Sequence, residues 1–327
     1  MPDRGVVLGG PGQVALEEIQ VDQPEPGEVL VRIEATGVCH SDQHVIDEDG
    51  WGHRLPVLLG HEGAGTIERV GSDVDTLVPG DRVVLGWKTA CGACPACLRG
   101  APRRCHKPPQ APGRLHRADG ALLTPVLRTG TLATRTVVPA VAAVRIPDEL
   151  PFEQACLIGC AVATGVMSVL ETAKVWAGAR VAVIGCGAVG LSVIQGARIA
   201  AASEIRAIDL DERKLEQSRR FGATHVEPGP VDFVFDVVGR RSTFEQGLSL
   251  LAAGGTYVLV GLSPAGERAE VDLPRLFARR ASILVSHGGD YLPQEDFPRL
   301  ARLALDGWRD ALEAMREGDV IRTVLNP

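Results

Sequence analysis

The chain has 327 residues, more than one hydrophobic core usually organises, so two domains are expected. Hydrophobic residues make up 45%, charged residues 23%, and the formal net charge is −7, which excludes long disorder, a small disulfide scaffold and a basic module that binds nucleic acid or membranes. The N-terminus lacks the apolar core of a signal peptide, and the longest uncharged apolar stretch, residues 155–170, is too short for a membrane span. We therefore predict a buried helix there, a cytoplasmic protein and eight reduced cysteines.

The first 145 residues contain short apolar alternations that glycine and proline interrupt, as at 29–33, 66–70 and 82–85, and they predict an irregular all-β unit. From residue 151 the pattern changes to strands at 180–184, 205–208, 231–236, 256–261 and 282–286, with helices between them up to 200 and over 211–221 and 244–251. Strands that alternate with helices predict a doubly wound parallel sheet. After residue 291 the pattern predicts a helix, a second helix over 310–317 and a strand over 320–325.

A G-x-G-x-x-G motif, in which Gly185, Gly187 and Gly190 are the glycines, follows the predicted strand 180–184 and opens a helix. Its glycines permit a tight turn, a close approach of the pyrophosphate and close helix packing. Asp209 ends the next strand, where its carboxylate would accept hydrogen bonds from the adenosine ribose and repel a 2′-phosphate, so NAD is favoured over NADP. The alternative is a glycine-rich turn without a ligand.

Four cysteines lie within fifteen residues of each other, in a loop rich in glycine and proline: Cys91, Cys94, Cys97 and Cys105. Four thiolates suit a tetrahedral Zn²⁺ with no open position, and therefore a structural site. An iron–sulfur cluster is the rival, although its usual run has a shorter final spacing and a following proline. A chance group of free thiols is the third alternative.

Metal-ligand residue types also occur in three distant segments, at Cys39, at His61 with Glu62, and at Cys160. Each has an ordinary alternative, because a small core cysteine or a turn histidine is common. Together, two thiolates and one imidazole would leave zinc one open position, which is a catalytic arrangement.

These motifs, in this order and over nearly the whole length, resemble the zinc-dependent alcohol dehydrogenases of the medium-chain dehydrogenase/reductase family. The resemblance rests on Gly-Val-Cys-His-Ser-Asp, Gly-His-Glu-Gly-Ala-Gly, the four-cysteine lobe, Gly-Cys before the nucleotide domain, the glycine motif with its aspartate, and a closing Ile-Arg-Thr-Val-Leu. It implies an α/β protein with a GroES-like, mostly-β catalytic domain (1–161), a Rossmann domain (162–287) and a C-terminal return to the catalytic domain (288–327). The active site is then expected in the cleft between the domains.

The resemblance also implies roles for individual residues. The catalytic zinc ligands would be Cys39, His61 and Cys160, with Glu62 as an acid behind the metal and Asp42 orienting the histidine. Ser41 and His44 match a proton relay, although a helix-capping hydroxyl and a solvated histidine are the alternatives. On the cofactor side, the matching residues are Thr164 and Val189 near the nicotinamide, His40 and Arg322 near the pyrophosphate, and Lys214 beside the adenosine ribose.

By this resemblance, zinc polarises the oxygen of an alcohol, hydride passes to NAD⁺, and the proton leaves through Ser41, the nicotinamide ribose and His44. Segments 84–97 and 123–138 resemble the branch that oxidises thiol adducts of formaldehyde, including mycothiol- and glutathione-dependent enzymes. The alternatives are a biosynthetic carbonyl or alkene reductase that uses NAD(P)H and a non-catalytic zinc- and NAD-binding protein. A homo-oligomer, dimer or tetramer, is expected through the β-branched segment 281–286.

The chain is shorter than the family norm at 225–230, where relatives carry a further strand and helix, and at 306–311, where they carry a strand and loop between two helices. Either these are true deletions or the numbering closes over missing residues.

Overall fold

The computed structural model describes residues 2–316 and 323–327. The strands are β1 (Asp3–Gly10), β2 (Gln13–Val21), β3 (Glu28–Gly37), β4 (Val57–Leu58), β5 (Glu62–Val70), β6 (Arg82–Leu85), β7 (Leu115–Arg117), β8 (Thr124–Pro125), β9 (Arg135–Pro139), β10 (Ala143–Arg145), β11 (Arg180–Ile184), β12 (Glu204–Ile208), β13 (Val231–Asp236), β14 (Leu251–Leu259), β15 (Ser282–Val285) and β16 (Val324–Leu325). The α-helices are α1 (His40–Asp47), α2 (Pro95–Leu98), α3 (Phe152–Leu157), α4 (Ala163–Met167), α5 (Ala188–Ile199), α6 (Glu212–Arg220), α7 (Arg241–Leu250), α8 (Leu273–Arg279) and α9 (Pro293–Arg316).

The described residues divide into two compact units: residues 2–160, 292–307 and 323–327 form the first, and residues 161–291 and 308–316 form the second. The first unit holds two sheets, with strand orders β7-β2-β1-β4-β8 and β10-β6-β5-β3-β16, and β9 also pairs with β3. Every second residue of β3 from Val29 to Ile33 packs into one core cluster, while on its other face Arg32 is exposed and Leu30 is buried.

The second unit is built on a parallel sheet of order β12-β11-β13-β14-β15. The predicted strands of this unit are confirmed, although β14 begins five residues earlier than expected. A complete dinucleotide sheet has the order 3-2-1-4-5-6, whereas the described residues form no full strand outside β12. At that place His225 makes a single parallel bridge to Arg206. Since no helix lies between α6 and β13 in this described stretch, the segment 225–230 is short in the structure as well.

The apolar stretch that the sequence marks as a buried helix lies within a continuous helical run, Phe152–Ala173. It is the single described helix long and apolar enough to cross a membrane, but 72% of its most apolar window is buried inside the protein, as in a core helix. Two turns of π-helix, Ile158–Val162 and Ser168–Ala173, flank α4. Such wide turns are frequent at functional sites.

The C-terminal prediction of two helices is wrong, because α9 runs without interruption from Pro293 to Arg316. Gly307 is the only strong helix breaker near the predicted gap, and one glycine inside a helix costs only about 1 kcal/mol relative to alanine. Of the predicted strand 320–325, residues 320–322 lie outside the described residues. Val324 and Leu325 pair antiparallel with Gly37 and Thr36 of β3.

Candidate active site

Four potential ligand side chains from three distant segments meet in the first unit: Cys39, His61, Glu62 and Cys160. Their ligand atoms all lie within 4.8 Å of one another. Cys39 precedes α1, His61 and Glu62 stand at the start of β5, and Cys160 lies in the π-helical turn after α3. His61 and Glu62 are fully buried. The tertiary structure therefore brings together residues separated by up to 121 positions in the chain (160 − 39).

Glycines allow the backbone to pass close to this cluster. Gly60 has a φ of +91°, in the left-handed region, and a side chain there would collide with the backbone of Leu132. At Gly159, a Cβ would lie 2.6 Å from the carbonyl oxygen of Leu85, too close for any side chain. The helical run that carries Cys160 can therefore pack directly on β6.

Asp42 organises the cluster from the first turn of α1. Its Oδ2 accepts a hydrogen bond from the backbone N–H of Cys39 at 3.0 Å, and its Oδ1 accepts one from the N–H of Gly60 at 3.0 Å. The same Oδ1 lies 3.3 Å from Nδ1 of His61. The carboxylate thus holds two of the three segments and leaves the opposite ring nitrogen, Nε2, to face the other potential ligands.

The Nε2 atom of His61 is buried and has no hydrogen-bond partner among the described residues. Burial lowers the pKa of the ring, but hydrogen bonding to Asp42 and the proximity of Cys39 outweigh it and raise the pKa well above its usual range. A buried imidazole nitrogen without a partner, beside two thiols and a carboxylate, is the donor set that zinc prefers. The residues present therefore fit a zinc ion, and its binding would displace the ring proton.

The predicted relay residues share the short helix α1. Ser41 and His44 are one turn apart and both are partly exposed. Nδ1 of His44 lies 3.8 Å from a carboxylate oxygen of Glu48, and its ring lies 5.8 Å from the exposed ring of His40. The relay assignment stays a prediction.

The second cluster consists of the four closely spaced cysteines. The Sγ atoms of Cys94 and Cys97 lie 3.5 Å apart, those of Cys94 and Cys105 3.9 Å, and those of Cys91 and Cys97 4.0 Å. These separations are too long for disulfides, and none of the eight cysteines forms a disulfide bond. Zinc–sulfur bonds of about 2.3 Å in a tetrahedron place the sulfurs about 3.8 Å apart, so the cluster fits one metal ion. A multi-iron cluster would need its sulfurs further apart.

Hydrogen bonds from backbone N–H groups stabilise the thiolate forms of two of these cysteines. A hydrogen bond from the backbone of Cys97 lowers the pKa of Cys94 to about 6, and one from Ala93 lowers the pKa of Cys91, whereas burial raises the pKa of Cys97 to about 11. Cys91 and Cys94 therefore ionise more readily than an ordinary thiol, and Cys97 less readily.

Sequence reasoning missed the ion pair that attaches this lobe to the rest of the first unit. The guanidinium of Arg103, two residues before Cys105, donates to Asp296 of α9 at 2.5 and 3.2 Å and to Glu295 at 3.0 Å. Asp296 is buried and also accepts from the N–H of Leu292 at 2.8 Å. No local pattern links these residues, which are 193 positions apart.

The glycine motif of the second unit has the geometry of a dinucleotide turn. Gly185 has a φ of +94°, and a Cβ there would lie 2.7 Å from Val238. A Cβ at Gly190 would overlap the carbonyl of Gly185, whereas one at Gly187 meets nothing within 4 Å. Gly187 is the N-cap of α5, so free backbone N–H groups point into open space, where a pyrophosphate would fit.

Asp209 lies just after β12 and is tied to this turn. Its Oδ2 accepts from the N–H of Cys186 at 2.7 Å and its Oδ1 from the N–H of Asp211 at 3.0 Å. Burial, together with the charge of Asp209, raises the pKa of the Cys186 thiol to about 12. Lys214 is exposed on α6, and Val189 is half-buried at the start of α5.

Two further polar residues of the second unit, Thr164 and Asp236, are buried. Thr164 is buried in α4, and its carbonyl accepts a 2.5 Å hydrogen bond from Ser168. Asp236, at the end of β13, was not predicted; its buried carboxylate accepts hydrogen bonds from the N–H groups of Val238 and Gly239 and from the hydroxyls of Thr243 and Tyr257.

Arg322, which the family resemblance assigns to the pyrophosphate, lies outside the described residues.

The profiles of two protein families match this chain. The profile of the alcohol dehydrogenase GroES-like domain matches residues 25–148, and that of the zinc-binding dehydrogenases matches residues 188–306. An S-(hydroxymethyl)glutathione dehydrogenase of Saccharomyces cerevisiae is 35% identical over 358 aligned positions, which cover 95% of this chain and 92% of the relative. Because 358 positions exceed the 327 residues here, that relative carries segments that this chain lacks.

Solved structures of other proteins share the fold of this chain. A protein from Burkholderia ambifaria described as an alcohol dehydrogenase zinc-binding domain protein superposes with a TM-score of 0.89 and 30% identity, covering 100% of this chain and 99% of the other. Benzyl alcohol dehydrogenase from Acinetobacter calcoaceticus superposes with a TM-score of 0.87 and 28% identity, with the same coverage. The chain belongs to the zinc-dependent alcohol dehydrogenases of the medium-chain dehydrogenase/reductase family, oxidoreductases with a GroES-like unit and a Rossmann sheet for a nicotinamide cofactor.

Proposed function

We propose that this protein is an NAD-linked, zinc-dependent dehydrogenase that interconverts an alcohol and an aldehyde or ketone. Cys39, His61 and Cys160 bind its catalytic zinc, and the four-cysteine lobe binds a structural zinc. The observation that carries the proposal is the convergence of the ligand atoms of residues 39, 61, 62 and 160 within 4.8 Å. A protein that kept zinc only for structure would have no need of this second, carboxylate-flanked cluster.

When bound, zinc supplies Lewis-acid polarisation of the substrate oxygen, and the nicotinamide accepts the hydride. The protein's own part is to orient these groups and to remove the proton. Asp42 keeps Nδ1 of His61 engaged, so Nε2 faces inward. Ser41 Oγ accepts the substrate proton as its own hydroxyl proton leaves towards His44, whose side chain is 25% exposed and can release a proton to water.

The preference for NAD is proposed from Asp209, whose carboxylate the turn holds in place through two backbone hydrogen bonds. A 2′-phosphate would meet this negative charge, and the following residue, Leu210, is an exposed apolar side chain instead of an arginine. Lys214 is assigned to the adenosine ribose, and Thr164 to the nicotinamide side of the bound cofactor. His40 and Arg322 are assigned to the pyrophosphate.

The substrate is proposed to be an S-hydroxymethyl adduct of a low-molecular-weight thiol. Support comes from segments 84–97 and 123–138 of the sequence and from the yeast relative, which is an S-(hydroxymethyl)glutathione dehydrogenase. Eight cysteines without a disulfide bond suit the reducing cytoplasm, where such thiols are abundant.

The test compares wild type with Cys39→Ala, His61→Ala and the matched control Cys156→Ala, a buried cysteine of α3 outside both clusters. NADH formation is followed with simple alcohols and with hydroxymethyl-thiol adducts, and NAD⁺ binding is measured separately. We expect the first two variants to lose turnover and keep NAD⁺ binding, while Cys156→Ala stays active. Full turnover in either ligand variant contradicts the zinc role, and a preference for simple alcohols contradicts the substrate assignment.

The cofactor preference has its own test. Asp209→Ser combined with Leu210→Arg is expected to shift the kcat/KM ratio from NAD⁺ towards NADP⁺ by at least about tenfold, since a repulsive charge is replaced by an attractive one. An unchanged ratio, or a wild type that prefers NADP⁺, contradicts the role given to Asp209.

A homo-oligomer is proposed through β15. This strand pairs with β14 on one side and is an edge of the parallel sheet in the described residues, and Ile283 and Val285 are 39% and 65% exposed. Sedimentation of wild type and of Val285→Lys tests this arrangement: the variant should shift towards monomer, and a monomeric wild type contradicts it.

A further inference from the structure

Gly37 lies directly opposite Glu62 in the antiparallel ladder between β3 and β5. A Cβ built on Gly37 would overlap Oε2 of Glu62 and lie 3.2 Å from both the Cβ and the Cδ of that residue. The Glu62 side chain therefore occupies the space that any side chain at position 37 would take.

The backbone does not require glycine at this position. Gly37 is absent from the residues with positive φ and sits in a regular strand, where glycine is less favourable than a residue with a side chain. Its strand neighbours Ala35 and Thr36 carry side chains and are buried. The reason for a glycine must therefore lie in what its missing side chain admits.

The strand cannot move aside to relieve an overlap. Gly37 pairs with Glu62 on one edge and with Val324 of β16 on the other. The next residue, Val38, donates its N–H to the carbonyl of Thr323 at 2.9 Å. With β3 held from both edges, an added Cβ would displace the Glu62 carboxylate rather than the strand.

We propose that Gly37 is a positioning residue of the metal cluster: its lack of a side chain gives the Glu62 carboxylate the space to lie within ligand distance of Cys39, His61 and Cys160. The inference rests on the proposed metal role of that cluster. It predicts that a methyl group at position 37 acts through Glu62 and reproduces the effect of removing the carboxylate.

The experiment measures zinc release to a chromophoric chelator from zinc-loaded protein. Cys39→Ser identifies the release phase of this cluster and separates it from that of the four-cysteine lobe. Four proteins are then compared: wild type, Gly37→Ala, Glu62→Ala and the double variant. Gly9→Ala is the matched control, since a Cβ there would make only ordinary contacts, with the Arg117 guanidinium at 3.8 Å and the Gln13 carbonyl oxygen at 4.0 Å.

We expect Gly37→Ala to release zinc from this cluster about tenfold faster or more, as for other losses of a group that supports a metal site. The lobe phase should not change, nor should either phase in Gly9→Ala. In the Glu62→Ala background, adding Gly37→Ala should change the rate less than about twofold, because coupled residues are not additive.

Two results would overturn the inference: release from Gly37→Ala at the wild-type rate, or an equal effect of Gly37→Ala in both backgrounds. If Gly37→Ala does not fold, recovery of folding in the double variant supports the inference, and failure of both variants contradicts it. A wild type without any phase that Cys39→Ser removes would instead contradict the metal role itself.

Discussion

The most direct test of the site's architecture is Asp42→Asn. The carboxylate accepts three hydrogen bonds, from the N–H groups of Cys39 and Gly60 and from the His61 ring. An asparagine oxygen in place of Oδ1 can still accept the latter two. Its NH₂ group then faces the Cys39 N–H, donor against donor, and the negative charge beside the imidazole is lost.

The magnitude follows from these contacts. Loss of a group that orients a metal-bound histidine weakens metal affinity by about 10–100-fold, or about 1.4–2.8 kcal/mol. Asp42 anchors two ligand segments at once, which places the expected effect in the upper part of this range.

The assay is zinc affinity by chelator competition, with Asp47→Asn as the control. Asp47 ends the same helix, is exposed and accepts a hydrogen bond only from Gln43 in the described structure, so its substitution should leave zinc affinity unchanged. Zinc affinity of Asp42→Asn within about twofold of wild type would refute the argument that this carboxylate orients the cluster.

Three further predictions concern the second unit. Asp236→Ala should lower the free energy of unfolding by about 3 kcal/mol or more in urea denaturation, because it leaves two buried donors, on Gly239 and Tyr257, and two partly buried ones without their acceptor; a loss below about 1 kcal/mol would contradict this. Cys186, whose pKa is raised to about 12, should resist alkylation at about pH 8 in the folded protein and react on unfolding, as mass spectrometry can follow; rapid labelling of the native protein would argue against its burial. Hydrogen bonding from Arg180 lowers the pKa of Asp232, so its contribution to stability is present above the unfolded value of about 3.9 and is lost as pH falls through the lower folded value. Asp232→Asn should therefore flatten the pH dependence of the unfolding free energy below about pH 4, and parallel curves would show that the pair has no such role.

The parts of the fold that could be predicted are those that depend on residues close together in the chain. The strands of the second unit follow from short apolar runs, and β11 and β13 begin and end at the predicted residues because both are central and buried on two faces. The four-cysteine cluster could be predicted for the same reason, since a loop of fifteen residues already restricts its sulfurs to one neighbourhood. The end of the chain could not be predicted in this way, because one glycine in α9 is too weak a signal to decide whether the helix stops.

The cluster of Cys39, His61, Glu62 and Cys160 depends instead on residues that are far apart in the chain. Its members lie on different elements, and the individual motifs are compatible with core cysteines and a turn histidine; only resemblance to a family linked them beforehand. The ligand atoms come within 4.8 Å of one another because β3, β5 and the helical run after α3 pack together. The space for the Glu62 side chain exists because β3 has a glycine at the facing position. Residue spacing along the chain thus determined the elements that need only near neighbours. Packing in three dimensions decided the contacts among distant residues. The free energy of these contacts depends on which surfaces of the folded chain fit together, and no pattern of neighbouring residues contains that information.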